Sequence, residues 1–183
     1  MDNVILIKWN NKLMYRSILL FLPAKNFNEH EFTVVKKALE VQGMNIFIAS
    51  DTPGVCVGNN GLRVKADVSL INGRASNFKA LILIGGDGAR NYWENASVHK
   101  LLKDFHLGNK LIGAICSAPV TLAKAGLLNG KEGTCFIDDK KAFLKSGALF
   151  LETPVVVSDN IITAQNPMAA SEFVQTILDH IKN

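Results

Sequence analysis

Cys116 occupies a position in this sequence that is typical of a reactive thiol. It directly follows the apolar run of residues 110–115, and Pro119 just after it suits the first turn of a helix. At such a strand-to-helix turn, free backbone N–H groups and the positive end of a helix dipole lower the pKa of a thiol and expose its sulfur. The position fits an inert, buried cysteine equally well, so both interpretations stay open on this ground alone.

Glu31 is the carboxyl group that the sequence offers as a partner for this thiol. The simpler interpretation is a capping box, in which Asn28 is the N-cap of a helix and Glu31, three residues later, completes the motif. In the functional interpretation the carboxyl lies near Cys116 and donates a hydrogen bond to its thiolate. Burial and the adjacent negative charge then raise the pKa of Glu31 and keep it protonated.

The glycine-rich segment Gly85-Gly-Asp-Gly88 follows another apolar run. Glycines allow backbone N–H groups to approach a ligand closely, as an oxyanion site requires, although a plain tight turn has the same composition. The segment lacks the spacing of a dinucleotide fingerprint and the Lys-Ser/Thr pair of a phosphate loop. A nucleotide cofactor is therefore not expected.

The four histidines do not supply an obvious base for Cys116. His99 and His106 belong to a predicted helix whose inner side is formed by apolar residues, and His180 is close to the C-terminus, so all three are expected to be solvated. His30 neighbours Glu31, but adjacent positions on a helix usually point in different directions. Triad chemistry is therefore not evident from the sequence.

The remaining cysteines, Cys56 and Cys135, are expected to be structural. Three cysteines cannot form a complete disulfide framework, and none has a spacing typical of metal ligands. The sequence therefore predicts a protein of a reducing, cytoplasmic compartment without a bound metal.

Apolar runs of strand length alternate with helical patterns along the chain. Such runs predict a parallel sheet that is buried on both faces, with ligands bound beyond the carboxyl ends of its strands. Turn-forming residues at 58–61 and 158–160 predict two small β-hairpin excursions. The predicted strands cover residues 17–22, 45–49, 80–84 and 110–115, and the predicted helices cover residues 29–42, 97–106, 118–125, 138–146 and 168–181.

Length and charge limit the remaining possibilities. A chain of 183 residues suits one domain, which we place at residues 16–183 after an N-terminal extension of residues 1–15. The net charge of +4 is spread over scattered lysines and arginines without a basic stripe, so nucleic acid is not an expected partner. The apolar run of residues 17–22 is too short to cross a bilayer, so no membrane association is expected.

Several motifs in their order along the chain resemble the ThiJ/PfpI superfamily. The resemblance extends from about residue 16 to residue 181, and its motifs are Ala114-Ile-Cys-Ser-Ala-Pro119, Leu83-Ile-Gly-Gly86, Ala123-Lys-Ala-Gly-Leu-Leu-Asn-Gly130 and Ile161-Ile-Thr-Ala-Gln-Asn-Pro167. It implies a flavodoxin-like, three-layer α/β sandwich that forms a homodimer or a larger symmetric assembly. It also implies that Cys116 is the nucleophile, Glu31 its carboxylic-acid partner, and the backbone amides of Gly86 and Ser117 the oxyanion pocket.

Two positions depart from the pattern of this superfamily. Ser117 stands where PfpI-type peptidases and many glyoxalase III-like members have a histidine, and Phe136 stands where other members have one. Cysteine-dependent acyl transfer normally needs a base that carries a proton to the leaving group. The departures therefore argue against peptidase activity.

The leading functional prediction is cofactor-free chemistry of the glyoxalase III or deglycase type on small reactive electrophiles such as 2-oxoaldehydes. One alternative is a protein without turnover, either a stress sensor in which Cys116 is oxidised to a sulfinate or a chaperone-like protein. The other is an intracellular cysteine peptidase or amidase, which would need a histidine, from His30 or a neighbouring subunit, close to Cys116.

Overall fold

The computed structural model describes residues 16–51 and 54–182, so the expected N-terminal extension of residues 1–15 lies outside the described part. The strands, in chain order, are β1 (Ser17–Phe21), β2 (Lys25–Phe27), β3 (Asn45–Ser50), β4 (Val55–Gly58), β5 (Arg63–Lys65), β6 (Val68–Ser69), β7 (Ala80–Leu83), β8 (Leu111–Ile115), β9 (Glu132–Gly133), β10 (Leu149–Phe150), β11 (Val155–Ser158) and β12 (Ile161–Ala164). The α-helices are α1 (Glu29–Val41), α2 (Ala96–Leu107), α3 (Pro119–Lys124), α4 (Lys140–Lys145) and α5 (Ala170–Lys182). Helices and strands match the predicted segments to within about two residues at most ends.

A central sheet runs in the order β11-β12-β8-β7-β1-β3-β6. All its neighbouring strands are parallel except β11, which is antiparallel to β12. When the two-residue edge strand β6 is left out, the parallel strands β1, β3, β7, β8 and β12, numbered in chain order, are arranged as 2-1-3-4-5, which is the flavodoxin-like order. The predicted fold class is therefore confirmed.

Alternate residues of the strands face two separate apolar clusters. Ile18, Leu20 and Ile82 pack with the apolar sides of α1 and α5 on one face of the sheet. Leu19, Leu81 and related residues pack with α2, α3 and α4 on the other. Every residue of β1, β7 and β8 is buried, which explains why these strands are continuous apolar runs in the sequence.

Both predicted hairpins are present, but neither is isolated. In the first, β4 and β5 pair in antiparallel register around Gly58 to Gly61, and β2 adds a third, parallel strand. In the second, β12 pairs with β11 and also lies parallel to β8 within the central sheet. Because β12 pairs with both neighbours, the second hairpin is part of the central sheet rather than an excursion. All four residues of β12 are buried.

The predicted helix at residues 138–146 begins later than expected. A 3₁₀ turn covers Ile137–Asp139, and α4 follows it. Cys135 lies two residues after the end of β9 and is not part of a strand. No helix in the described part of the chain is long and apolar enough to cross a membrane.

Candidate active site

Three chain segments meet at the carboxyl edge of the central sheet. Cys116 directly follows β8, Gly85 follows β7, and Glu31 lies in the first turn of α1, after β1 and β2. The chain extends the sheet in one direction from β1 to β3 and in the opposite direction from β7 onwards, so the topological switch point lies between β1 and β7. Open α/β sheets bind ligands at such a point. The fold therefore brings the predicted residues to the edge that the strand pattern indicated.

Cys116 has an unusual backbone conformation. Its φ is +64°, in the left-handed region that costs a non-glycine residue about 1–2 kcal/mol. Two hydrogen bonds hold this conformation: Cys116 N donates to Ala164 O at 2.9 Å, and Phe136 N donates to Cys116 O at 2.7 Å. Such strain persists only where the surroundings fix it, and it is frequent at functional sites.

Glu31 lies in the first turn of α1 and is completely buried. The predicted cap is confirmed, since Asn28 Oδ1 accepts a hydrogen bond from Glu31 N at 3.0 Å. The second half of the capping box is wrong, because Asn28 N donates to Gly85 O and the Glu31 carboxyl points elsewhere. Glu31 Oε2 accepts a hydrogen bond from Gly85 N at 2.9 Å, and buried Oε1 has no hydrogen-bond partner of ordinary geometry among the described residues.

The close approach of Glu31 to Cys116 requires glycine at position 85. A Cβ there would lie 2.5 Å from Ile115 O, 2.7 Å from Cys116 Cβ and 2.9 Å from Glu31 Oε2. Gly86 next to it has a φ of +103°, and its Cβ would collide with the backbone of Asn26 and Asn28. The glycine-rich segment is therefore more than a plain turn, because it lets three backbone segments touch.

The two ionisable groups perturb one another. Burial raises the pKa of Glu31 to about 7, against the opposing effects of the Gly85 N–H and the Cys116 thiol. Burial and the negative charge of Glu31 raise the pKa of Cys116 to about 12, while the Gly86 N–H and the Ser117 hydroxyl act in the opposite direction.

The expected lowering of the Cys116 pKa by a helix dipole is thus wrong. Helix α3 begins only at Pro119, and the Cys116 residue is 6% exposed instead of presenting its sulfur openly. Desolvation of the charged form outweighs the neighbouring N–H groups, so the thiol alone is a weak acid. The acidic member of the pair is Glu31.

The two residues assigned to the oxyanion pocket lie beside Cys116. The backbone N–H of Gly86 acts on the Cys116 side chain in the direction that lowers its pKa, and Ser117 Oγ is 4.0 Å from Cys116 Sγ. Neither the Gly86 N–H nor the Ser117 N–H donates to another backbone carbonyl of the described residues. The Ser117 carbonyl accepts a hydrogen bond from Trp93 Nε1 at 2.9 Å, which fixes the peptide after the cysteine.

No histidine acts on the Cys116 and Glu31 side chains. His30 is exposed, His99 bonds to the carbonyl of Trp93, and neither influences the pKa of Cys116 or Glu31. Cys56 and Cys135 are buried and free. Within residues 16–51 and 54–182, no group of three or more His, Cys, Asp or Glu side chains could hold a metal ion.

One ion pair near the site was not predicted from the sequence. Arg90 Nε donates to Asp139 Oδ1 at 2.9 Å, and the Arg90 guanidinium carbon lies 5.9 Å from the centre of the Phe136 ring. The two charged residues are 49 positions apart, so no local spacing indicates their contact. Only the contact of Arg90 with Asp87 has a spacing that the sequence reveals: Asp87 precedes Arg90 by three residues and accepts a hydrogen bond from it.

Comparison with known proteins adds an independent observation. Residues 16–180 match the sequence profile of the DJ-1/PfpI family. The deglycase PfpI of Pyrococcus furiosus is 29% identical over 149 residues, which cover 81% of this chain and 90% of that protein. A glutathione-independent glyoxalase of Caenorhabditis elegans is 29% identical over 167 residues, which cover 91% of this chain and 89% of that protein. The crystal structure of a ThiJ/PfpI domain protein from Brachyspira murdochii superimposes with a TM-score of 0.89 at 27% identity, covering 91% of this chain and 96% of that one.

Proposed function

Because the chain belongs to the DJ-1/PfpI family, we propose that it converts small 2-oxoaldehydes to 2-hydroxy acids with Cys116 and Glu31. Relatives named as a deglycase and as a glutathione-independent glyoxalase support this type of activity at the level of the family. The observation that carries the proposal is the buried Glu31 carboxyl, which interacts with the Cys116 side chain. Its Oε2 accepts from Gly85 N, and its Oε1 has no ordinary hydrogen bond within the part of the chain that the structure describes.

The first step is addition of the thiolate to the aldehyde. Near neutral pH the pair has one proton to share, because the pKa of Glu31 is about 7 and that of Cys116 about 12. When this proton moves from the thiol to the carboxylate, a thiolate forms without a change in total charge. Its sulfur bonds to the aldehyde carbon, and the aldehyde oxygen is stabilised by the Gly86 and Ser117 N–H groups. Glu31 then gives its proton to this oxygen, which becomes the hydroxyl of the hemithioacetal and leaves Glu31 as a carboxylate.

The second step moves a proton between the two carbons of the substrate. The Glu31 carboxylate removes the hydrogen of the former aldehyde carbon and returns the proton to the adjacent carbon. The hydroxyl proton of the hemithioacetal passes to the oxygen of that adjacent carbon, which leaves a thioester of a 2-hydroxy acid on Cys116. Water cleaves this thioester and restores the thiol. The net reaction adds one water molecule to the 2-oxoaldehyde and needs no metal, redox partner or organic cofactor.

The same site chemistry accommodates deglycation. Adducts between an aldehyde and an amine or thiol keep an electrophilic carbon that the Cys116 thiolate can attack, and the amine or thiol then leaves with a proton from Glu31.

The two alternative functions find less support in the geometry. A peptidase normally needs an imidazole near the nucleophile, and position 136 holds a phenylalanine and position 117 a serine. A redox sensor is typically accessible and has a low thiol pKa, whereas Cys116 is buried and its pKa is raised.

The formation of lactate from methylglyoxal tests the proposal. We expect purified protein to produce lactate and Cys116→Ala to fall to the uncatalysed rate. Cys56→Ala is the matched control, because Cys56 is also buried and free but does not act on the pKa of Glu31 or Cys116, and it should keep the activity of the unmodified protein. Equal rates for the unmodified protein and Cys116→Ala would contradict the proposal.

A further inference from the structure

Two segments that are distant in the sequence enclose Cys116. The first runs from Gly86, whose N–H contacts the cysteine side chain, into the 3₁₀ helix Asp87–Tyr92. The second contains Phe136, whose N–H donates to the Cys116 carbonyl, and ends at Asp139, whose N–H donates to the Phe136 carbonyl at 2.9 Å. Both segments therefore border the cysteine, and the second holds its carbonyl through the Phe136 N–H.

Arg90 joins these segments through a forked contact. Its Nε donates to Asp139 Oδ1 at 2.9 Å, and its Nη2 donates to Asp139 Oδ2 at 3.3 Å. Its Nη1 donates to Asp87 on its own segment, and the guanidinium lies over the ring of Phe136. The arginine thus contacts both segments on either side of the nucleophile.

The burial of Asp139 makes this contact specific. Its side chain is 5% exposed, and its two oxygens are both bound by Arg90. A buried carboxylate that loses its counter-charge is strongly destabilised, so Asp139 holds its position only while Arg90 is present. Lysine offers a single ammonium and cannot reproduce the planar fork.

We propose that Arg90 and Asp139 are positioning residues that clasp the two segments and so keep Cys116 in its strained, reactive backbone conformation. This inference rests on the proposed function, since it concerns the same site. The hydrogen bond from Phe136 N to Cys116 O is one of the two that hold a φ of +64° at the cysteine. The clasp occupies the region of Phe136, where other members of the family carry a histidine, and its role there is to hold the backbone in place.

Arg90→Met and Asp139→Asn test the clasp through two readouts of opposite sign. We expect kcat for methylglyoxal to fall on the order of 10- to 100-fold with little change in KM, because misplacing a catalytic group by about 1 Å has that effect. We expect the rate of Cys116 alkylation by iodoacetamide to rise, because the loosened segments admit the reagent. Mass spectrometry separates Cys116 from Cys56 and Cys135.

Two further variants keep the test decisive if Arg90→Met is unstable. Arg90→Met/Asp139→Asn leaves no unpaired buried charge and should lose no more kcat than Arg90→Met alone, because the two side chains act as a unit. Arg90→Lys should give intermediate values. The matched control is Lys131→Met, which breaks an ion pair with Asp159 at 2.9 Å, has the same side-chain exposure of 34%, and should change neither readout.

The clasp is overturned if Arg90→Met has the kcat and the Cys116 alkylation rate of Lys131→Met. It is also overturned if the fold-loss in kcat of the double variant equals the product of the fold-losses of the two single variants. A third contrary result is that alkylation of Cys56 rises as much as that of Cys116, which indicates general loosening of the fold. If the unmodified protein does not act on methylglyoxal, the proposed function fails, and alkylation alone still decides for or against the clasp.

Discussion

At Cys116 the backbone and the side chain are both held in states that a free cysteine avoids. The backbone has a positive φ, and the side chain is buried beside a carboxyl group that disfavours its thiolate. Neither state lowers the energy of the fold. Both serve to place the sulfur, the Glu31 carboxyl and the Gly86 N–H within contact of one another, in a region from which most water is excluded.

Gly85→Ala should damage the site and the fold together. The added methyl group would lie 2.5 Å from Ile115 O and push against Cys116 and Glu31, so we expect a loss of about 1–3 kcal/mol in the free energy of unfolding and a loss of turnover. Urea denaturation and lactate formation measure the two effects.

Gly126→Ala is the control for this substitution. Gly126 has a φ of +83° but nothing lies within 4 Å of its would-be Cβ, so only the backbone strain of about 1 kcal/mol applies and turnover should persist. If Gly85→Ala were as active as Gly126→Ala, the close packing around Glu31 would not be required.

Among the elements of the fold, the first turn of α1 decides where the carboxyl points. Asn28 caps the helix through its side chain, while its own N–H is bound to Gly85 O. These contacts anchor the helix start to the segment after β7. Consequently the rotation of α1 about its axis, and with it the direction of Glu31, is coupled to the glycine-rich segment.

Asn28→Ala should therefore affect activity as well as stability. Loss of a side-chain cap costs typically about 1 kcal/mol, and here it also loosens the turn that carries Glu31. Asn95→Ala removes an equivalent cap, in which Asn95 Oδ1 accepts from Val98 N at 3.0 Å at the start of α2, away from the site. We expect similar losses in thermal denaturation for both variants but reduced kcat only for Asn28→Ala. Equal kcat values would show that the cap does not position Glu31.

The sequence predicts these elements well where one physical signal dominates. Buried parallel strands are continuous apolar runs, and β1, β7 and β8 were found from that pattern. The strand β2 was missed because three residues, of which two are exposed, carry no periodicity. The parallel pairing of β12 with β8 was missed because a hairpin turn indicates only the antiparallel neighbour of β12, which is β11.

The site shows the same limit. A strand-to-helix turn and a family resemblance predict Cys116 and Glu31 as site residues, but the direction of the Cys116 pKa shift depends on burial, which local sequence does not give. The contact of Arg90 with Asp139 depends on two loops meeting in space. Sequence patterns therefore indicate candidate site residues, but they do not predict the electrostatic environment of these residues.

For the molecule as a whole, the buried carboxyl lowers stability at neutral pH. The pKa of Glu31 is near 4.5 in the unfolded chain and about 7 in the folded protein, so the folded state binds the proton more tightly. Stability from this group is fully present below pH 4.5 and is lost as the pH rises to about 7, by roughly 3 kcal/mol in total.

Denaturation between pH 4.5 and pH 8 checks this expectation. Glu31→Gln has no carboxyl to ionise, so the unfolding free energy of the unmodified protein should fall relative to that of Glu31→Gln across this range. Parallel pH dependences would mean that Glu31 ionises in the folded protein as easily as in the unfolded chain.

The homodimer implied by the family resemblance stays a prediction, which sedimentation of the purified protein tests.

The alkylation rate of Cys116 as a function of pH tests most directly whether Cys116 and Glu31 share one proton. In the unmodified protein, loss of the first proton from the pair makes a thiolate accessible through transfer to Glu31, so the rate should show a step near pH 7. Glu31→Gln should lack this step and react appreciably only at much higher pH, because burial still raises the pKa of its thiol. Profiles with the same midpoint in both proteins would contradict the account.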